Sequence, residues 1–424
     1  MKSIFINIKE LIGILPPEVR RLEGAEMSRV GSISGAYLTV ADGAITGFGE
    51  MGGCAGVAGM GGCPCLEDYD EVVDASGCIL MPSFCDSHSH IVYAGSREGE
   101  FRDKIEGLSY EEIAARGGGI LNSADLLHET SEDELYRQSL VRVREMMAKG
   151  SGTIEIKSGY GLSVEDELKM LRVIRRIRES VPALIRATFL GAHAVGRAYT
   201  GRRREYVDLV CGEMLPRVAS EGLADFVDVF CDEGFFTPSD MDRILSVANS
   251  YGLAAKVHTD EIAVIGGMET ALKHDALSVD HLERTSSEGI SALKGRRTMP
   301  TMLPGSSFFL GLPYGRARDF IGAGLGLALA SDYNPGSSPC GDMRFVMAQG
   351  CIRMRLTPEQ AFNACTINGA YAMGVSDVCG SITVGKAANL ILTVPLPSLA
   401  FIPYCYATPF IRTHYLKGEA LGTA

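Results

Sequence analysis

Between residues 77 and 332 short apolar runs alternate with longer amphipathic stretches. The apolar, β-branched runs are GCILMPSFCDSH (77–88), SGTIEIKSG (151–159), ALIRATFLGAH (183–193), FVDVFC (226–231), LAAKVH (253–258), ALSVDHL (276–282), RTMPTML (297–303) and LGLALASD (325–332). Each reads as a buried strand, because continuous apolar runs of this length suit strands covered on both faces. The stretches between them read as helices. In SVEDELKMLRVIRRIRE (163–179) Ser163 is placed to cap the first turn, with Asp166 three residues on, and Leu168, Leu171, Ile174 and Ile177 recur along one face. Further helices are expected at 131–148, 202–221, 238–251, 260–273 and 358–373. Eight strand units alternating with helices over about 250 residues fit a (β/α)8 barrel. A doubly wound sheet is the alternative, but the first strand lacks the G-x-G-x-x-G turn such sheets use for nucleotides.

The two chain ends follow a different pattern. GAYLTVADGAITGFGE (35–50) holds two β-prone runs joined at Ala41-Asp42-Gly43, a hairpin signal, and GSITVGKAANLILTV (380–394) reads as strand, turn, strand. Both ends together are expected to build one small β-sandwich domain from residues 1–79 and 384–424, leaving 80–383 for the barrel.

Composition narrows the function classes. An apolar fraction of 46% supports a large core. The net charge of −12 and the absence of a basic stripe argue against nucleic acid; GRRRE (201–205) reads as a solvated loop. No run of 18 uncharged apolar residues suggests a membrane span, and Asn7, Lys9 and Glu10 interrupt the first apolar stretch where a secretory signal needs continuity. A cytoplasmic protein with its twelve cysteines as free thiols is expected. The spacing of Cys54, Cys63 and Cys65 in the Gly/Cys-rich segment 51–65 matches no zinc knuckle, and a loop is expected there.

Five of the eight histidines stand at the ends of expected strands: His88 and His90 after the first, His193 after the third, His258 after the fifth and His281 after the sixth, with Asp332 after the eighth. His128, His274 and His414 fall in expected helices or loops. In a (β/α)8 barrel the carboxyl ends of the strands share one mouth. A single histidine there is usually a hydrogen-bonded structural residue; five with an aspartate point to a shared metal. Three neutral imidazoles and a carboxylate, here His88, His90, His258 and Asp332, suit Zn²⁺ or iron. Water at an open position would lose a proton near neutral pH and act as a nucleophile. Lys157 reads as the ion-pair partner of Glu155 or another acid.

The constellation resembles the amidohydrolase superfamily: H-x-H on strand 1, histidines on strands 5 and 6, aspartate on strand 8. Strand 4 ends FCDEG and offers no bridging lysine, which favours one metal per chain. HSHIVYAGSREGEF, GGGI, EIKSGYGL, TFLGAHAV, DVFCDEG, HTDE, DHLE, LPG, SDYNPGSSP and TINGA occur in the order and spacing of the imidazolonepropionase family, over roughly residues 76–390. That resemblance implies hydrolysis of the ring amide of 4-imidazolone-5-propanoate to N-formimino-L-glutamate, in histidine degradation, by a homodimer carrying one Zn²⁺ or iron ion per chain. Departures are H-S-H for the usual H-T-H, Asp232 where FCE is usual, and Glu261 where many members carry Gln. The implied roles are as follows. Asp332 binds metal and accepts the water proton; Glu261, one helical turn past His258, moves protons to the leaving nitrogen or else is an ordinary acid at a helix N-terminus. His281 stabilises the oxyanion or else serves as a fifth ligand or a structural residue, and His193 donates to the ring carbonyl or tail or else is structural. Arg97 grips the propanoate with its planar fork, or else pairs with Glu98 or Glu100. Tyr160 contacts substrate and product, Asn334 and Gly336 the product, Ser337 the imidazolone, and Tyr110 the tail. The alternatives are another mononuclear amidohydrolase, such as a guanine or other nucleobase deaminase, and a non-catalytic metal-binding barrel.

Overall fold

The computed structural model describes residues 1–53, 65–108 and 118–422. Tyr110, Cys54 and Cys63 lie outside the described residues, as does most of the Gly/Cys-rich segment. The chain ends supply strands β1 (Lys2–Ile14), β2 (Gly31–Ala41), β3 (Ala44–Glu50), β4 (Glu71–Asp74) and β5 (Cys78–Pro82). The barrel is built by β6 (Phe84–Asp86), β7 (Ser151–Lys157), β8 (Leu184–Ala192), β9 (Phe226–Cys231), β10 (Ala254–Thr259), β11 (Ser278–His281), β12 (Met299–Met302) and β13 (Ala328–Leu329). β14 (Leu390–Pro395), β15 (Ile411–Leu416) and β16 (Glu419–Ala420) return to the first sheet.

β6 to β13 pair in sequence order, all in parallel. The ring closes past the strand ends, where Ser89 bridges Tyr333 and the Asp332 and Tyr333 backbones exchange hydrogen bonds with His88 and His90 at 3.0 and 2.9 Å. The closing seam is therefore the segment that carries three of the expected metal ligands. The run 77–88, which reads as one strand, is two. β5 pairs with β1 and β14, the chain leaves that sheet at Ser83, and β6 starts the barrel.

β5 shows why both ends of the chain are needed. Its side chains alternate with period 2: Cys78 and Leu80 enter the small core with Phe5, Leu38 and Leu390, whereas Ile79 and Met81 enter the barrel core with Ile12 and Ile391. The sheet, ordered β16-β15-β14-β5-β1-β2-β3 with β4 also on β1, curls over its own core. Phe5 of β1 meets Tyr415 of β15 at 4.9 Å, and Ala44 bridges Ala387. This is the expected sandwich of the two chain ends. His414 sits on strand β15, not in a helix or loop: it joins the units through Ser83 Oγ and the Met147 carbonyl, both at 2.7 Å.

The helix at Val164–Ser180 has Ser163 as its cap and Leu168, Leu171, Ile174 and Ile177 buried, as its periodicity requires. The stretch 260–273 is helical only from Gly267 to Lys273. Asp260 takes φ +58°, and the next three amides point to a side chain of the neighbouring strand, so a loop replaces the first turns. Among the described residues no helix is long and apolar enough to cross a membrane.

Candidate active site

His88 and His90 lie just beyond β6, and His258 and His281 are the last or next-to-last residues of β10 and β11, so parallel strand register aims all four at the barrel mouth. His88 Nε2 is 3.1 Å from His90 Nε2, which is 3.4 Å from His258 Nε2. Asp332 Oδ1 stands 3.7 Å from His88 Nε2 and 3.5 Å from His90 Nε2. His281 joins His88 and His258 in an overlapping group of converging nitrogens. All are buried. Burial, then the Lys157 charge for His88 and the neighbouring imidazole of His193 for His90, holds these two rings well below the usual histidine range. The outer Nδ1 of His88 faces Asp280, so its neutral ring presents the Nε2 lone pair inward. His88, His90 and Asp332 converge within 4.8 Å, and His258 Nε2 adjoins His90, a donor set that fits a divalent metal.

The outer shell is ionic. His88 Nδ1 donates to Asp280 Oδ2 at 2.7 Å, and His258 Nδ1 lies 3.0 Å from Asp228 Oδ2. Lys157 Nζ reaches Asp228 at 2.8 Å, Glu155 at 2.6 Å and Asp280 at 3.8 Å; Lys256 Nζ is 2.5 Å from Glu155. Two ammonium groups and three carboxylates thus fill the barrel centre under the histidines, each nearly or fully excluded from water. Lys157 is paired with Glu155, as the sequence suggests; Asp228, Asp280 and Lys256 are missed there. Their signal was present: charged residues in apolar strands, Lys256 two residues before His258 and so on its face, with Asp228 and Asp280 on the neighbouring strands beside Lys256 and His258.

His281 (φ +85°) and Leu282 (φ +72°) hold a left-handed backbone that non-glycine residues rarely adopt, and this turns the His281 ring to Glu261. His281 Nδ1 is 3.5 Å from Glu261 Oε2 and 3.6 Å from Glu283 Oε2. Burial opposes its charge, but these two carboxylates hold it well above the ordinary range. Glu261 is pushed up to about 7, by burial first, with His281 working in the opposite direction.

On the other flank, His193 stacks on His90 at 5.2 Å and donates through Nδ1 to the Gly159 carbonyl at 3.0 Å. Tyr160 lies 5.5 Å from His193 and 6.1 Å from His90, ring to ring. Glu167, buried, accepts the amides of Gly159, Gly161 and Leu162 at 3.1, 2.8 and 3.0 Å and so fixes the turn that carries Tyr160. Asn334 Oδ1 takes the amides of Gly336 and Ser337, both at 2.8 Å, and Ser337 Oγ donates to Asp332 Oδ2 at 3.4 Å. Arg97 forms a two-pronged pair with Glu100, at 2.9 and 2.6 Å, the ion pair the sequence offered as its alternative role. The same guanidinium also lies against Gly336: a Cβ there would fall 2.3 Å from Nη1. Lys104, which the sequence reading passed over, reaches the Gly336 carbonyl at 2.9 Å.

The family model "Amidohydrolase family" matches residues 79–412. The imidazolonepropionases of Flavobacterium psychrophilum and Flavobacterium johnsoniae are each 48% identical over 421 residues, covering 99% of this chain and all of the relative. Among solved structures, the atrazine chlorohydrolase TrzN of Arthrobacter aurescens, complexed with zinc, superposes with a TM-score of 0.70 at 12% identity, covering 99% of this chain and 95% of that one.

Proposed function

The chain belongs to the amidohydrolase family and, within it, to the imidazolonepropionases, and on that premise we propose how its site hydrolyses the ring amide of 4-imidazolone-5-propanoate to N-formimino-L-glutamate. The observation that carries the reading is the four-donor cluster of His88, His90, His258 and Asp332 facing the Glu261–His281 pair. We take those four residues as the ligands of one zinc or iron ion per chain. Such an ion, when bound, supplies Lewis acidity toward a carbonyl and makes water more acidic.

The remaining chemistry belongs to side chains. Water adds to the ring carbonyl carbon, the bond from that carbon to the ring nitrogen breaks, and a proton must reach that nitrogen. Asp332 accepts the proton of the attacking water. Glu261, whose carboxyl titrates near neutrality, carries a proton to the leaving nitrogen; a group poised near working pH does this with the least loss in either direction. His281, held protonated by Glu261 and Glu283, donates to the carbonyl oxygen as negative charge grows there. His193 donates to the ring, and Tyr160 closes the site above it. Arg97, with Tyr110, takes the propanoate carboxylate. Asn334 shapes the loop that brings Gly336 and Ser337 to the ligand. The assembly is a homodimer in the cytoplasm.

A nucleobase deaminase of the same fold is the competing reading. It has no use for an arginine against the Gly336 loop, and Arg97 with Tyr160 favours a carboxylate-bearing ring. The test is to add the purified protein to freshly generated imidazolone propanoate and follow the decay of its ultraviolet absorbance, with guanine run in parallel. Decay with formation of N-formimino-L-glutamate supports the reading; ammonia released from guanine without decay of the imidazolone sinks it.

A further inference from the structure

Glu261 sits on a loop anchored at Asp260, where Thr285 Oγ1 donates to Oδ2 at 2.9 Å and the Arg284 amide to the carbonyl at 2.7 Å. The segment between His258 and the helix at Gly267 contains no helical turn. Asp260 and Gly266 take φ values of +58° and +98°, and Ile262 and Val264 are 45% and 49% exposed. No helix therefore fixes the backbone of residues 261–263. A side chain from outside the loop holds their three amides. Asp232, at the end of β9 and 2% exposed, accepts the backbone amide of Glu261 at 2.8 Å and that of Ile262 at 3.0 Å on Oδ2. On Oδ1 it accepts the amides of Ala263 and of its own neighbour Glu233, both at 2.8 Å. A carboxylate offers about four lone-pair sites, and here all four meet N–H groups. Charge-assisted bonds of this kind are roughly twice as strong as neutral ones.

We propose that Asp232 is the positioning residue of the proton shuttle: its carboxylate clamps three consecutive amides of the 261–263 loop and thereby sets the Glu261 carboxyl against His281. This rests on the reading of Glu261 as the shuttle. It assigns a task to a residue outside the converging histidine and aspartate groups. It requires an acid here, not an amide. Asparagine keeps one oxygen and turns an NH2 group toward two N–H donors, so half of the clamp becomes repulsive. Glutamate keeps all four acceptor sites, although its extra methylene shifts them.

A double-mutant cycle tests it on the metal-loaded full chain. Glu261→Gln alone should lower kcat by about 10²–10⁴. Asp232→Asn alone should lower kcat by roughly 10–100-fold, the scale of a ~1 Å misplacement of a catalytic group, while KM and bound metal per chain stay near wild type. Because Asp232 acts through Glu261, the double variant should match Glu261→Gln within about two-fold. Asp232→Glu should restore most of the activity lost in Asp232→Asn. Multiplicative losses in the double variant would overturn the proposal, as would an Asp232→Asn loss that follows loss of metal. Near-full activity of Glu261→Gln would instead remove the shuttle reading itself. If Asp232→Asn does not fold, the same cycle run with Asp232→Glu decides: its effect on kcat must vanish in the Glu261→Gln background, and persistence there refutes the clamp.

Discussion

Gly336→Ala is the sharpest local perturbation the site offers. Gly336 is not at positive φ, so alanine fits its backbone, and the cost is a steric one whose three nearest atoms all belong to Arg97. The added Cβ would lie 2.3 Å from Arg97 Nη1 and 2.9 Å from its Cζ. Ordinary contact is about 3.5 Å, so the guanidinium must retreat by roughly 1 Å. It cannot do so and keep both bonds to Glu100, at 2.9 and 2.6 Å. Because the group that yields is the far end of a flexible side chain, the fold should lose about 1 kcal/mol or less, below the usual cost of overpacking a core. The carboxylate-binding edge of Arg97 is what moves. Losing a hydrogen bond to a charged group costs about 1.5–3 kcal/mol, or roughly 10–150-fold in kcat/KM. The assay compares kcat/KM for the propanoate substrate with that for an imidazolone bearing a methyl group in place of the tail, alongside a thermal melt. The loss should appear for the propanoate and be near absent for the methyl compound. Equal losses for both, or none for either, would refute the placement of Arg97 at the tail.

Other perturbations test other parts of the account. His88→Ala, His90→Ala or His258→Ala should each abolish the one zinc or iron ion per chain found by elemental analysis; two tightly held ions per wild-type chain would break the four-ligand set. Lys157→Met strands Glu155, Asp228 and Asp280 with one ammonium fewer, and breaking a buried charge pair costs about 3–5 kcal/mol; urea denaturation should show it together with weaker metal binding, and a stable variant with native metal affinity would refute the orienting role of this network. Burial raises Glu167 from 4.5 to about 7, so the folded state holds this proton more tightly than the unfolded chain. Stability from this group is therefore full below pH 4.5, falls as pH rises toward 7 by ~3 kcal/mol at about 1.36 kcal/mol per unit, and levels above it. Glu167→Gln should flatten the urea-derived stability between pH 5 and 7.5 relative to wild type, and an unchanged slope would remove Glu167 as its source.

The barrel was legible because its strands are buried on both faces and so read as unbroken apolar runs: Phe226–Cys231 stands in the structure as it reads in the sequence. The site was legible because histidine is rare in this chain and five of eight cluster at strand ends. Two kinds of information were not local. The first strand run conceals a change of sheet at Ser83, since burial on both faces looks the same whether the neighbour is β14 or β7. The loop before Gly267 has helical composition, but a carboxylate from β9 takes its first amides, a tertiary contact that overrides propensity. The ionic layer under the histidines was missed for a related reason. Asp228, Lys256 and Asp280 look like lone charges in apolar strands until register sets them face to face.

The central claim is that water adds to the ring carbonyl of 4-imidazolone-5-propanoate and opens the ring there. A turnover in H2¹⁸O, with the product analysed by mass spectrometry, tests it most directly. The account predicts N-formimino-L-glutamate carrying one ¹⁸O, located in the carboxylate formed from the ring carbonyl, and no label in the propanoate-derived carboxylate. Label elsewhere, release of ammonia with the ring intact, or no turnover by the metal-loaded protein would contradict it.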